Sequence, residues 1–163
     1  MTEPRLLQRI AQIGLVVRSV EHTAERYWNA FGIGPWRFKT LDPSSVEDMK
    51  VRGLRVDHAM RIGIAMIGEV ECELIEPLDD KSIYAEHLRI HGEGLHHILF
   101  DVGNYQQTCA LFHKTGAEEI ASGKWHGYRY AYFDTRSSLA CLTEIYSPPP
   151  AGTPLPPPDH TYP

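Results

Sequence analysis

Four polar residues stand in stretches that otherwise read as buried strands. Gln12 lies between Ala11 and Ile13, Glu73 within Val-Glu-Cys-Glu-Leu-Ile-Glu-Pro, His97 ahead of Ile98-Leu99-Phe100, and Glu144 within Ala-Cys-Leu-Thr-Glu-Ile-Tyr. Strands covered on both faces form continuous apolar runs, so polar members of such runs are the informative ones. An ionised carboxylate buried without a partner costs many kcal/mol. Two of them near one imidazole need either raised pKa values or a cation between them, and one divalent metal would compensate both charges at once. Three oxygen donors and one nitrogen suit Zn²⁺, Co²⁺, Ni²⁺ or Mn²⁺, with positions left for water or substrate. Taken singly, a strand glutamate faces solvent more often than not, and the His96-His97 pair reads as core or surface; it is the joint placement that favours a site.

That placement follows from the elements, because the chain reads twice. Residues 10–17 are apolar and β-branched and run into Ser19-Val20-Glu21, a cap signal for a helix through Phe31 that Gly32 stops. Residues 95–102 run the same way into a helix from about Tyr105 to Lys114, stopped by Gly116. Three strand-like runs follow each unit: 35–41, 59–67 and 69–76, then 117–122, 127–133 and 140–147. The pattern predicts an α+β fold of two βαβββ modules, about 8–78 and 95–147, joined by a helix near 82–90 that Ser82 caps. One module cannot bury the apolar face of its sheet with a single helix, so the two must close around a cleft. Gln12 and His97 then occupy equivalent first strands, and Glu73 and Glu144 equivalent last strands.

Composition narrows the classes further. The 163 residues are 42% hydrophobic and 23% charged, an ordinary globular balance. A net charge of −5 without a basic cluster argues against nucleic acid as a partner. No apolar run approaches the roughly 20 residues of a membrane span, and the start MTEPRLLQRI lacks a signal-peptide core, so a cytoplasmic protein is expected. Cys72, Cys109 and Cys141 are far apart and read as buried free thiols. His22, His58, His87, His91, His113, His126 and His160 read as structural or solvated, none supplying a helical pair of ligands. Residues 148–163 hold eight of the twelve prolines, so this tail is extended; a loose polyproline-like segment and an arm on a partner subunit are the two readings. Trp36, Trp125, Tyr128, Tyr130 and Tyr132 could stack a planar ligand, or could face solvent or a subunit interface. Gly32-Ile33-Gly34 lacks a third glycine and follows a helix, so it reads as a stop and turn, not as a phosphate loop.

The segments Ile10-Ala-Gln-Ile-Gly-Leu-Val-Val17, Glu73-Leu-Ile-Glu-Pro-Leu78 and Gly92-Glu-Gly-Leu-His-His-Ile98 resemble the vicinal oxygen chelate superfamily of glyoxalases, bleomycin-resistance proteins, extradiol dioxygenases and methylmalonyl-CoA epimerases. The likeness spans residues 8–147 and is strongest to the epimerase branch. It implies paired βαβββ modules with ligand places at Gln12, Glu73, His97 and Glu144. Epimerases carry His at the place of Gln12, whereas some glyoxalases carry Gln there with Glu, His and Glu at the other three. The Fe(II) extradiol pattern of two His and one carboxylate is not met, since one His and two carboxylates occupy those places.

In both the epimerase and glyoxalase branches the resemblance implies an isomerase, epimerase or lyase that moves a proton next to a carbonyl, on an acyl-CoA or another carbonyl compound. Glu144 is the first candidate for the base and Glu73 the second. Glu47, Asp48 and Asp57 are further acidic candidates in the first half, none of which aligns with a family base. The resemblance also implies a homodimer. The alternative is a metal-free binding protein of the bleomycin-resistance type, which would use the same cleft to sequester a ligand.

Overall fold

The computed structural model describes residues 6–163. Each half begins with a strand that leads directly into a capped helix. In the first, β1 (Leu7–Val16) is followed by α1 (Val20–Phe31), where the Ser19 hydroxyl accepts the His22 amide. Gly32 ends α1 at φ 68°, a left-handed conformation that glycine adopts without a Cβ penalty. In the second, β7 (Gly94–Val102) leads into α3 (Tyr105–Lys114), capped by Asn104. Between them α2 (Ile83–His91) starts at the Ser82 cap and stops at Gly92.

The predicted strands form: β2 (Trp36–Leu41), β5 (Met60–Ile67) and β6 (Val70–Pro77) in the first half, β8 (Glu118–Trp125), β9 (Tyr128–Asp134) and β10 (Leu142–Ser147) in the second. A short helix α4 (Arg136–Leu139) turns the chain between the last two. β1 lies parallel to β6 and antiparallel to β7, and β7 lies parallel to β10, so the two halves meet along their first strands.

Strand alternation decides what faces the cleft. On β6, Cys72 and Leu74 pack outward with Val20, Ala24, Trp36 and Phe38 beneath α1, while Glu71, Glu73 and Ile75 point into the cleft. On β9, Ala131 and Phe133 pack outward against Phe112 of α3, while Tyr130 and Tyr132 point in. A third cluster joins the halves through Val16, Met60, Ile62, Ile75, Tyr84, Ile120 and Tyr132.

Two segments depart from the expected pattern. Residues 46–55 form a hairpin of β3 (Val46–Val51) and β4 (Leu54–Arg55), and β3 pairs with β8 of the other half. Its charged sequence gives a weak local strand signal, and Asp48 and Arg52 both take positive φ. Cross-module pairing and the burial of Val46 and Met49 fix it.

The Pro-rich tail is neither loose nor free-standing. It returns to the first half, where β11 (His160–Tyr162) pairs antiparallel with β2. Asp159 accepts hydrogen bonds from Lys39 Nζ at 2.7 Å and the Thr40 amide at 2.8 Å, and His160 stacks on Phe38. The complete order is β11-β2-β5-β6-β1-β7-β10-β9-β8-β3-β4 in one eleven-stranded sheet. Each half therefore lends its partner an edge strand, and the sheet curls around a cavity of about 440 Å³. Among the described residues no helix is long and apolar enough to cross a membrane.

Candidate functional site

The four predicted residues come together at the base of the cavity. Across the sheet, Glu73 lies beside Gly14, Gly14 beside His97, and His97 beside Leu142. Two residues further along, Gln12, Leu99 and Glu144 form a second rank. All four polar side chains are buried: His97 is 0% exposed, Gln12 and Glu144 7%, and Glu73 9%.

Their heads converge on one atom. His97 Nε2 is 3.0 Å from Glu144 Oε2, 3.3 Å from Gln12 Oε1 and 3.7 Å from Glu73 Oε2. Three acceptor oxygens thus surround a nitrogen that can offer one proton at most. Burial, followed by the charges of Glu144 and Glu71, raises Glu73 well above the ordinary carboxylate range. The donor set therefore fits a divalent cation, which would replace one shared proton with two positive charges. As arranged, the side chains hydrogen-bond to each other, and among the described residues no three His, Cys, Asp or Glu groups already frame an ion. The quartet must spread to admit one.

Gly14, Glu71 and Tyr84 around the quartet were not singled out from the sequence, whereas Tyr132 was, as a stacking residue. Gly14 gives the His97 ring its space. Glu71 accepts a hydrogen bond from Gln12 Nε2 at 3.1 Å, which turns the Gln12 carbonyl oxygen toward the centre. The signal was present, since Glu71 and Glu73 are two apart on a strand and so share a face. Tyr132 stands edge-on to His97, with ring centroids 5.0 Å apart, and its hydroxyl receives that of Tyr84 at 2.9 Å. Burial first, then Glu144, raises the Tyr132 phenol well above its usual range, so it stays neutral.

The histidine reading needs a correction. His87 and His91 do stand one helical step apart on α2, with ring centroids 5.1 Å apart, and His87 packs against His96. His96 is buried and its Nδ1 lies 3.1 Å from His97 Nδ1. Burial, then His97 and His87, holds His96 well below the imidazole range.

The remaining candidates fall elsewhere. Glu47 and Asp48 are exposed on β3, Asp48 pairs with Lys124, and Asp57 pairs with Arg55; none of the three lines the cavity. Trp125, Tyr128, Tyr130 and Tyr132 do line it, opposite Met60, Ile62 and Ile64. Cys72, Cys109 and Cys141 are free thiols, with only Cys72 fully buried.

The family model described as the glyoxalase/bleomycin resistance protein/dioxygenase superfamily matches residues 11–133. The chain belongs to this superfamily. The superfamily chain is 26% identical over 145 residues to the uncharacterized protein YqjC of Bacillus subtilis, a match covering 87% of this chain and 94% of that one. Its fold is similar to that of methylmalonyl-CoA epimerase from Mycobacterium tuberculosis, at a TM-score of 0.69 and 17% identity over 92% of this chain and 94% of the other. It is also similar to a variant of Streptomyces coelicolor methylmalonyl-CoA epimerase in complex with 2-nitronate-propionyl-CoA, at a TM-score of 0.64 and 23% identity over 86% and 96% of the two chains. At these identities the likeness to the epimerases is one of fold.

Proposed function

We propose that this protein is a metal-dependent isomerase, epimerase or lyase that moves a proton on carbon next to a carbonyl, with an acyl-CoA or similar carbonyl acid as substrate. The observation that carries the reading is the meeting of Gln12, Glu73 and Glu144 oxygens around His97 Nε2 in a buried site. Gln12, Glu73, His97 and Glu144 would hold the ion, with Zn²⁺, Co²⁺, Ni²⁺ and Mn²⁺ as the candidates. When bound, it would supply Lewis-acid stabilisation of the carbonyl oxygen.

The chain's own groups do the rest. Glu144 takes the proton from the substrate carbon and returns it, and Glu73 stands across His97 as the second carboxylate able to do so. Burial and the like charges of Glu144 and Glu71 raise Glu73, which makes that carboxylate a stronger base than one in water. The tyrosine wall and Met60, Ile62 and Ile64 exclude water from the reacting carbon. The complexes of the epimerase neighbours with methylmalonyl-CoA and 2-nitronate-propionyl-CoA support the choice of acyl-CoA. A cytoplasmic homodimer completes the proposal, its assembly being checked by light scattering.

The test is metal analysis together with deuterium wash-in at the α-carbon over a panel of acyl-CoAs and hemithioacetals. Metal retention and exchange are expected, with Glu144→Gln slowing exchange by about 10²- to 10⁴-fold. Neither metal nor exchange across the panel would end this reading. A second reading, ligand sequestration without chemistry, is favoured by the aromatic wall of Trp125, Tyr128 and Tyr130, where the buried Trp125 Nε1 has no hydrogen-bond partner among the described residues. Glu144→Ala separates the two, because sequestration survives that change and proton exchange does not.

A further inference from the structure

Tyr130 and Gly123 lie opposite each other on β9 and β8, so Gly123 shares the cavity face with the tyrosine. A Cβ on Gly123 would sit 2.7 Å from Tyr130 Cζ and closer still to the hydroxyl oxygen. The phenol therefore leans over β8, on the side of β9 away from β10, through space that a side chain would fill. Its oxygen stands two strands from Glu144, roughly 10 Å across the sheet. The cavity hydroxyls nearer the quartet are engaged: Tyr84 bonds Tyr132 at 2.9 Å, and Tyr146 donates to Asp101 at 3.0 Å. The Tyr130 hydroxyl has no hydrogen-bond partner among the described residues, and it is not sealed from the cavity.

We propose that Tyr130 is a specificity-determining residue that donates its hydroxyl proton to a neutral oxygen, keto or hydroxyl, on the far part of the substrate's acyl group. The inference rests on the reading of the quartet as the place where the reacting carbonyl binds. A group that reaches both must carry its second oxygen several bonds from the first. The surroundings decide between a neutral oxygen and a carboxylate. Lys124 and Arg129, the cations of β8 and β9, alternate to the opposite face, and neither lines the cavity. The cations that do line it, Arg9, Arg37 and Lys39, belong to β1 and β2 of the first half. A carboxylate against this aromatic wall would have one neutral donor and no counter-charge, whereas a keto or hydroxyl oxygen is satisfied by one hydrogen bond. A methylene in the same place would leave the phenol without a partner, and a site built to hydrogen-bond discriminates against the analogue that lacks the oxygen.

The test is calorimetric titration of the full chain with levulinyl-CoA, pentanoyl-CoA and succinyl-CoA. The first two have acyl chains of equal length and differ by a keto oxygen in place of two hydrogens; the third ends in a carboxylate. The wild type is expected to bind levulinyl-CoA about 3- to 10-fold more tightly than pentanoyl-CoA, and more tightly than succinyl-CoA. In Tyr130→Phe the ratio of the first two affinities should fall to near one. Gly123→Ala keeps the hydroxyl but displaces it, and should lower the same ratio; if that variant does not fold, Tyr130→Phe decides alone. The ratio is the readout because a tyrosine that only packs would change both affinities together. A wild type without the keto preference, a preference that survives in Tyr130→Phe, or binding of none of the three would overturn the assignment. Calorimetry needs no turnover, so the two readings fail separately. A keto preference carried by Tyr130 without α-proton exchange on any substrate defeats the proton-transfer reading alone, and exchange without the preference defeats this one alone.

Discussion

Gly14 lies directly beside His97 in the sheet, and a Cβ on it would sit 1.9 Å from His97 Cε1 and 2.4 Å from Nδ1. The imidazole therefore leans across the strand through space that only glycine leaves open. Its backbone is ordinary, so the requirement is one of volume and not of conformation. Gly14→Ala should expel the ring from the cavity base, destabilise the fold by about 1–3 kcal/mol, and weaken metal uptake. Thermal unfolding and Zn²⁺ titration measure the two effects; an alanine variant with wild-type affinity would show that the ring has another way to reach the quartet.

The two carboxylates oppose each other in stability and, on the proposed function, cooperate in the chemistry. Both lie near His97 Nε2 in a site where like charges are poorly screened, and the Glu144 charge is one cause of the upward shift at Glu73. Removing one charge without changing shape should help the metal-free fold and harm the chemistry. Glu73→Gln is expected to raise the metal-free stability on the order of 1 kcal/mol, which for a chain of this size is about 2–4 °C in Tm. Metal affinity and α-proton exchange should fall in the same variant. A drop in both Tm and affinity would mean that Glu73 is engaged in favourable hydrogen bonding that outweighs the repulsion.

Much of this site was legible in the sequence for a definable reason. Gln12, Glu73, His97 and Glu144 are conspicuous because their neighbours are continuously apolar, and the internal repeat pairs them before any contact is known. The elements around them were legible for a similar reason, with Ser19, Ser82, Gly32 and Gly92 acting as caps where expected. What escaped depends on register and on distant partners. Nothing local distinguishes Gly14 from any strand glycine until His97 is placed beside it. The turn of His96 toward His97 arises from a register shift that periodicity does not encode. The β3–β4 hairpin and β11 are stabilised by pairing with strands 70 or more residues away in many of their contacts, such as Val46 with Trp125 and His160 with Phe38.

Tyr84 and Tyr132 are coupled through a buried hydroxyl pair that ties α2 to β9 beside His97. Each ring is almost completely buried, and neither hydroxyl has another side-chain partner among the described residues. Tyr132→Phe strands the Tyr84 hydroxyl and should destabilise by about 1–3 kcal/mol. The double replacement, Tyr84→Phe with Tyr132→Phe, removes both polar groups and should recover most of that loss, because two apolar rings of the same shape leave nothing unpaired. A double-mutant cycle by chemical denaturation reads the coupling directly, and strict additivity would show that water already satisfies each hydroxyl.

The tail is held by a charge whose pH dependence has a determinate sign. The Lys39 ammonium, then the Thr40 amide, holds the Asp159 carboxylate below its ordinary range. A depressed acid pKa means that its contribution is present above the unfolded carboxylate pKa of about 3.9 and is lost as pH falls through the lower folded value. Asp159 is exposed, so the effect should be local and global stability should hardly change. Leu155, Pro156 and Pro158 line the cavity, however, so releasing the tail opens one wall of it. Asp159→Ala should therefore leave global stability within about 0.5 kcal/mol of wild type, accelerate hydrogen exchange at residues 160–162, and speed proteolysis after Ser147. At neutral pH the wild-type tail should be protected, and acidification below the carboxylate range should reproduce the exchange pattern of the variant. Protection that persists in Asp159→Ala would assign the clasp to β11 pairing and the stacking of His160 on Phe38 instead.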